Sequence, residues 1–126
     1  MNKKKILIAD DEPTLRLLVA STLDYGCFEI IEAVDGADAL AKAKQVIPDL
    51  MILDAMMPKL SGTEVCRQAR TLPALLGVKI IVLTAKGQLQ DCHEAMAAGA
   101  DHYVKKPFSP LDLKCLVEQI LEYQDA

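Results

Sequence analysis

The chain has 126 residues, of which 52% are hydrophobic and 25% charged, a balance that excludes both a disordered segment and a membrane-embedded bundle. One domain over residues 1–126 is therefore expected, with enough apolar material for a core that needs neither disulfides nor a structural metal. The net charge of -4 and isoelectric point near 5.1 argue against direct nucleic-acid binding, which uses a basic face.

The run Lys3, Lys4, Lys5 reads as the solvated entrance to a strand rather than a contact patch. Behind it Ile6, Leu7, Ile8 and Ala9 form an apolar strand, cut off at once by Asp10, Asp11 and Glu12. That stretch is too short for the apolar part of a secretory signal, and no run approaches a membrane-spanning length, so a cytoplasmic protein away from membranes is expected. Pro13 suits the first turn of a helix. Leu15, Leu18, Val19 and Leu23 then recur at helical spacing, and Gly26 marks the stop.

A second strand is expected over residues 28–33, and Asp35-Gly36 turns into a helix carrying Ala37, Leu40, Ala43, Lys44 and Val46, ended by Pro48. Leu50, Met51, Ile52 and Leu53 are wholly apolar, as a central strand covered on both faces should be. A loop over 54–62 leads to a helix near 63–70, a connection over 73–77 and a fourth strand over 78–83. A helix near 89–98 stops at Gly99. The fifth strand falls at 101–104, and Ser109 is the expected N-cap of a last helix whose buried stripe is Leu113, Leu116, Val117, Ile120 and Leu121. Five alternations of strand and helix predict an α/β fold, a parallel sheet wrapped by helices. Cys27, Cys66, Cys92 and Cys115 are dispersed, so they read as reduced, mostly buried small hydrophobes rather than zinc ligands.

In an open parallel sheet, functional groups collect where strands end at their carboxyl edge. That rule gathers Asp10 and Asp11 from the first strand, Asp54 from the third, Thr84 from the fourth and Lys106 after the fifth. Any one of these acids alone reads as a cap or a solvated turn residue. Three converging acids, however, would raise one another's pKa unless a cation sat among them. Oxygen ligands without cysteine or histidine suit a hard ion, and Mg2+ is the expected one. A carboxylate can then accept a phosphoryl group to form an acyl phosphate, provided that charge on the transferring group is neutralised. Lys106 can supply part of that charge and the Thr84 hydroxyl can donate to a phosphoryl oxygen, with the small Ala85 leaving room. The peptide before Pro107 is one where a cis bond is accessible.

Asp10-Asp11 after an apolar strand, Asp54-Ala55-Met56-Met57-Pro58 with Gly62, Thr84-Ala85 and Lys106-Pro107-Phe108, in this order and spacing, make the chain resemble the receiver domain of two-component response regulators, in particular the chemotaxis-type single-domain regulators. The resemblance covers essentially the whole chain. It implies a doubly wound, flavodoxin-like sheet of order 2-1-3-4-5 with five helices. It also implies that Asp54 receives phosphate from a phosphohistidine on a histidine kinase or phosphotransfer protein. By position, Asp11 and Asp54 would bind Mg2+ directly, the Met56 backbone carbonyl would complete the protein ligands, and Asp10 would act through water. Lys106 would pair with the phosphoryl group. Thr84 and Tyr103 match the family's switch pair, which would repack the face of the fourth helix, fifth strand and fifth helix. The resemblance further implies a downstream effector or fused output domain, a monomer or weak phosphorylation-dependent dimer, and no enzyme beyond its own phosphotransfer and dephosphorylation.

Met56 and Lys86 occupy the variable places flanking the phosphate, and Lys105 lies beside the expected Lys106. His93 and His102 read as surface residues. A haloacid-dehalogenase-like phosphatase would need a second acid two residues after its nucleophile, where this chain has Met56. A flavodoxin-like flavin protein would need a Ser-, Thr- and Gly-rich phosphate loop where this chain has Asp10-Asp11-Glu12. A receiver-like scaffold that is never phosphorylated would lack the acceptor, an acid, the threonine or the lysine, and all are present.

Overall fold

The structure of the chain, a computed structural model, describes residues 3–24, 28–84 and 89–121, the side chains of 89–91 excepted. The elements run β1 (Lys4–Ala9), α1 (Pro13–Leu23), β2 (Phe28–Ala33), α2 (Gly36–Val46), β3 (Leu50–Asp54), α3 (Gly62–Ala69), a short 3-10 helix (Pro73–Leu75), β4 (Lys79–Thr84), α4 (Leu89–Ala97), β5 (His102–Lys105) and α5 (Pro110–Ile120). All strand pairs are parallel and the sheet order is β2-β1-β3-β4-β5.

Successive side chains along a strand point to opposite faces, and here both faces are covered. Ile6 and Ile8 of β1, Leu50 and Ile52 of β3, and Ile81 and Leu83 of β4 pack toward α1 and α5 with Val19, Leu23, Leu113 and Val117. Their neighbours Leu7, Met51, Leu53, Ile80 and Val82 pack on the other side with Leu40, Val65, Ala69 and Ala95 of α2, α3 and α4 and with Ala98 just past α4. The apolar runs expected to be central strands are those buried on both sides. In α5 the inner stripe is as expected, with Leu113 and Val117 buried and Leu116, Ile120 and Leu121 partly so.

Helix starts follow local chemistry. Pro13 opens α1, whose N-cap Glu12 makes no side-chain cap. The side chains of Asp35, Ser61 and Ser109 accept from the backbone N–H groups of Asp38, Glu64 and Asp112 at the starts of α2, α3 and α5. At the end of α2 Ile47 takes a left-handed conformation, with φ 48°, before Pro48. The Lys106–Pro107 peptide is cis.

Some expectations need correction. Leu18 is exposed rather than part of the buried stripe of α1, because the face turned to the sheet is set by Leu15, Val19 and Leu23, joined by Ala20. Cys66 and Cys92 are buried, but Cys115 is exposed on the outer side of α5. The fifth strand begins one residue later than expected and β1 two residues earlier, since Lys4 already pairs with Phe28. His93 and His102 are at the surface as expected. The helix stop at Gly26, the placing of Cys27, and the roles given to Ala85 and Lys86 lie outside the described residues. Among the described residues no helix is long and apolar enough to cross a membrane.

Candidate phosphoryl-acceptor site

Sheet order reverses between β1 and β3, which leaves a crevice at their carboxyl ends. Asp10 follows β1 directly and Asp54 is the last residue of β3. One carboxylate oxygen from each of Asp10, Asp11 and Asp54 lies within 4.8 Å of the other two. Asp10 and Asp54 are buried and Asp11 is exposed. The sequence-expected acids are thus brought together.

Each acid is held differently. Asp10 Oδ1 accepts from the Glu12 N–H at 2.9 Å, while Asp10 Oδ2 is buried with no hydrogen-bond donor. Asp54 Oδ1 accepts from the Met56 N–H at 3.2 Å and faces Lys106 Nζ at 3.2 Å. Lys106 Nζ also lies 3.7 Å from Asp10 Oδ2. The lysine is aimed by its backbone, whose N–H donates to the Thr84 carbonyl at 2.7 Å and ties the end of β5 to that of β4.

Burial raises the pKa of the Asp54 carboxyl from its ordinary 3.8 to about 6, and the nearby Asp10 charge adds to the push. The Lys106 ammonium and the Met56 N–H oppose it. An ammonium on one side therefore only partly offsets the desolvation of Asp54 and its repulsion by Asp10. The orphaned Asp10 Oδ2, the all-oxygen donor set and the raised Asp54 carboxyl all fit a hard divalent cation held among the three.

Gly62 makes the crevice possible. A β-carbon there would run into the Asp54 carbonyl, its carbon only 2.9 Å away, so α3 could not approach Asp54 this closely with any other side chain at its start. Beyond Asp54, an open hollow of about 470 Å3 is lined by Asp11, Ala55, Met56, Met57, Pro58 and Ser61. The Met56 side chain stands 70% exposed on its rim.

Asp54 pairs in register with Leu83, which puts Thr84 one residue further up the neighbouring strand. Thr84 is fully buried, and its hydroxyl contacts Cys92 Sγ on α4 at 3.7 Å rather than an acid. Tyr103 lies one strand further out, opposite Val82, and is 40% exposed. Two contacts were not foreseen from the sequence. Arg16 donates to the Asp10 carbonyl at 2.8 Å and pairs with Glu32 at 3.1 Å, and Cys92 contacts Thr84. Neither carries a local signal, because each partner comes from a different element.

A doubly wound parallel sheet with an acidic crevice at the β1/β3 switch point and a lysine over it defines a class, and sequence comparison agrees with it. The profile of the response regulator receiver domain matches residues 6–118, and the chain belongs to that family, the receivers of two-component signalling systems. It is 42% identical over 118 residues to the alkaline phosphatase synthesis transcriptional regulatory protein PhoP of Bacillus subtilis, covering 94% of this chain and 48% of that protein. It is 37% identical over 121 residues to the DNA-binding dual master transcriptional regulator RpaA of Synechocystis, covering 96% of this chain and 50% of that protein. The chain spans about half the length of the curated relatives it matches. Among solved structures, the chemotaxis response regulator CheY4 of Vibrio cholerae is similar with a TM-score of 0.87 at 31% identity, over 94% of this chain and 99% of that one. The Francisella response regulator 1452 receiver domain is similar with a TM-score of 0.86 at 26% identity, over 95% of this chain and 98% of that one.

Proposed function

We propose that this receiver domain is a phosphorylation switch in which Asp54 accepts a phosphoryl group from a phosphohistidine on a histidine kinase or phosphotransfer protein. The observation that carries the reading is the Asp54 carboxylate, buried beside Lys106 Nζ at 3.2 Å within a cluster of three acids. In the transfer, an Asp54 oxygen bonds to phosphorus as the P–N bond breaks, and the bonding pair returns to the ring nitrogen of the donor histidine. Lys106 sits where it can pair with a phosphoryl oxygen once Asp54 has given up part of its charge. The Met56 N–H, already on Asp54 Oδ1, holds the nucleophile in place.

Asp11, Asp54 and the Met56 backbone carbonyl are the direct ligands we assign to Mg2+, with Asp10 acting through water. When bound, the ion neutralises the carboxylates and the oxygens of the incoming group. Asp10 Oδ2, which has no donor, supports a role for Asp10 toward a cation or its water. No side chain here supplies a general acid two residues after Asp54, where Met56 stands, so we read the chain as a phosphoacceptor that at most catalyses its own transfer and dephosphorylation, not as a phosphatase.

The proposed output is a change in Thr84 and Tyr103 that alters the face of α4, β5 and α5 and with it the affinity for a downstream effector or a fused output domain. Relatives named as transcriptional regulators and about twice as long favour a fused output domain. We read residues 1–126 as one cytoplasmic receiver unit, monomeric or weakly dimeric when phosphorylated, with no direct contact to nucleic acid or membrane. Incubation with acetyl phosphate and Mg2+ should add the mass of one phosphoryl group to the wild type and none to Asp54→Asn. Equal labelling of the two would overturn the assignment.

A further inference from the structure

Thr84 ends β4 with its backbone fixed from the next strand, since its carbonyl accepts the Lys106 N–H at 2.7 Å. What remains free is rotation about its Cα–Cβ bond, and a β-branched side chain has few staggered positions to choose from. In the position observed, the hydroxyl meets Cys92 Sγ at 3.7 Å, and both residues are fully buried. Cys92 and Ala95 of α4 are fully buried, and Ala98 just past the helix is buried as well. A buried hydroxyl with no partner is costly, so the thiol gives the resting orientation a stabilising contact that rotation toward the crevice must give up.

We propose that Cys92 is a positioning residue whose thiol holds the Thr84 hydroxyl in its resting orientation, and so sets how readily Thr84 turns toward a phosphoryl group on Asp54. The inference rests on the reading that Thr84 binds that group. It follows from two conformers competing for one hydroxyl: weakening the resting contact shifts the population toward the competent one and raises apparent affinity for a phosphoryl analogue. The contact also crosses from β4 to α4, so the helix registers directly whether Thr84 has turned.

The test uses beryllofluoride with Mg2+ as the phosphoryl analogue, and the Thr84 γ-methyl NMR resonance as the report of its rotamer. Cys92→Ala and Cys92→Val both remove the sulfur, one leaving space and the other filling it, so a packing effect would separate them. In both, the unliganded γ-methyl resonance should move toward its beryllofluoride-bound position, and beryllofluoride should bind about two- to fivefold more tightly, the scale of one net hydrogen bond. Cys92→Ser, which restores a partner, should return resonance and affinity to the wild-type values or beyond them in the opposite direction. If the γ-methyl moves on beryllofluoride binding in the wild type but both resonance and affinity are the same in the alanine and valine variants, this proposal alone falls. If saturating beryllofluoride leaves the wild-type γ-methyl unmoved, the role assigned to Thr84 falls and takes this inference with it.

Discussion

Burial holds a proton on Asp54 well above the pH at which an ordinary aspartate loses it, the Asp10 charge reinforces that hold, and Lys106 with the Met56 N–H only partly reverses it. The consequence for stability has a definite sign. Without metal the folded carboxyl has a pKa of about 6 against 3.8 for the ordinary group, so between these values the folded protein binds the proton and the unfolded chain does not. The contribution of Asp54 is therefore fully present below pH 3.8 and lost as pH rises through 6. In EDTA, the stability difference between wild type and Asp54→Asn should shift against the wild type by about 1–3 kcal/mol from pH 4 to pH 7, measured by urea unfolding. A pH-independent difference would show that Asp54 titrates as an exposed acid. At this scale the sequence was informative about which residues the fold brings together, because paired acids at a strand exit and a lysine before a proline stand out in an apolar context. It was silent about Cys92, which reads as one more small hydrophobe until α4 is laid against β4 and the thiol meets Thr84.

Among the elements, the β4–β5 side of the sheet end opposite the acids is fastened by Arg70. Arg70, the C-cap of α3, donates to the carbonyls of Gly99, Leu75, Leu76 and Val78 at 2.8 to 3.3 Å and pairs with Asp101 at 2.9 Å. Asp101 in turn accepts the Ile80 N–H at 2.8 Å. One guanidinium thus joins α3, the 3-10 helix, the start of β4 and the turn from α4 to β5. Gly99 adopts φ +110° there, and a β-carbon on it would lie 2.7 Å from Arg70 Cγ, so the turn has neither the conformation nor the space for another residue. Arg70→Ala should cost about 2–4 kcal/mol in urea unfolding, because several carbonyls lose a donor and a partly buried carboxylate loses its cation together. Arg70→Lys should recover only part of it, since an ammonium lacks the planar fork. A loss below about 0.5 kcal/mol, the scale of an ordinary surface substitution, would show that water replaces the guanidinium. Asp101 stands at the entrance of β5, its own N–H bonded to the Ile80 carbonyl at 2.9 Å while its carboxylate holds Arg70 and the Ile80 N–H.

For the molecule as a whole, the proposed cation at the acid cluster would link metal binding to folding. Burial of Asp54 beside Asp10 weakens the metal-free fold, and a cation that binds only the folded state would stabilise it by mass action. Mg2+ at about 100 times its Kd should add roughly 2.7 kcal/mol and raise Tm by several degrees. Asp11→Ala should abolish most of that gain while leaving metal-free stability nearly unchanged, because Asp11 is exposed. An undiminished Mg2+ effect in the variant would remove Asp11 from the ligand set. The sequence by itself determined the α/β alternation, because strands covered on both faces must be apolar at every position and helices over them need only a stripe. It also determined which groups could do chemistry at the strand ends. Only the tertiary structure decided how those groups engage, with Lys106 on Asp54 and Asp10, the Thr84 hydroxyl on Cys92, and Arg70 across four segments. Periodicity is a property of neighbours along the chain, whereas a hydrogen bond between distant residues depends on angstrom-level placement that no local pattern encodes.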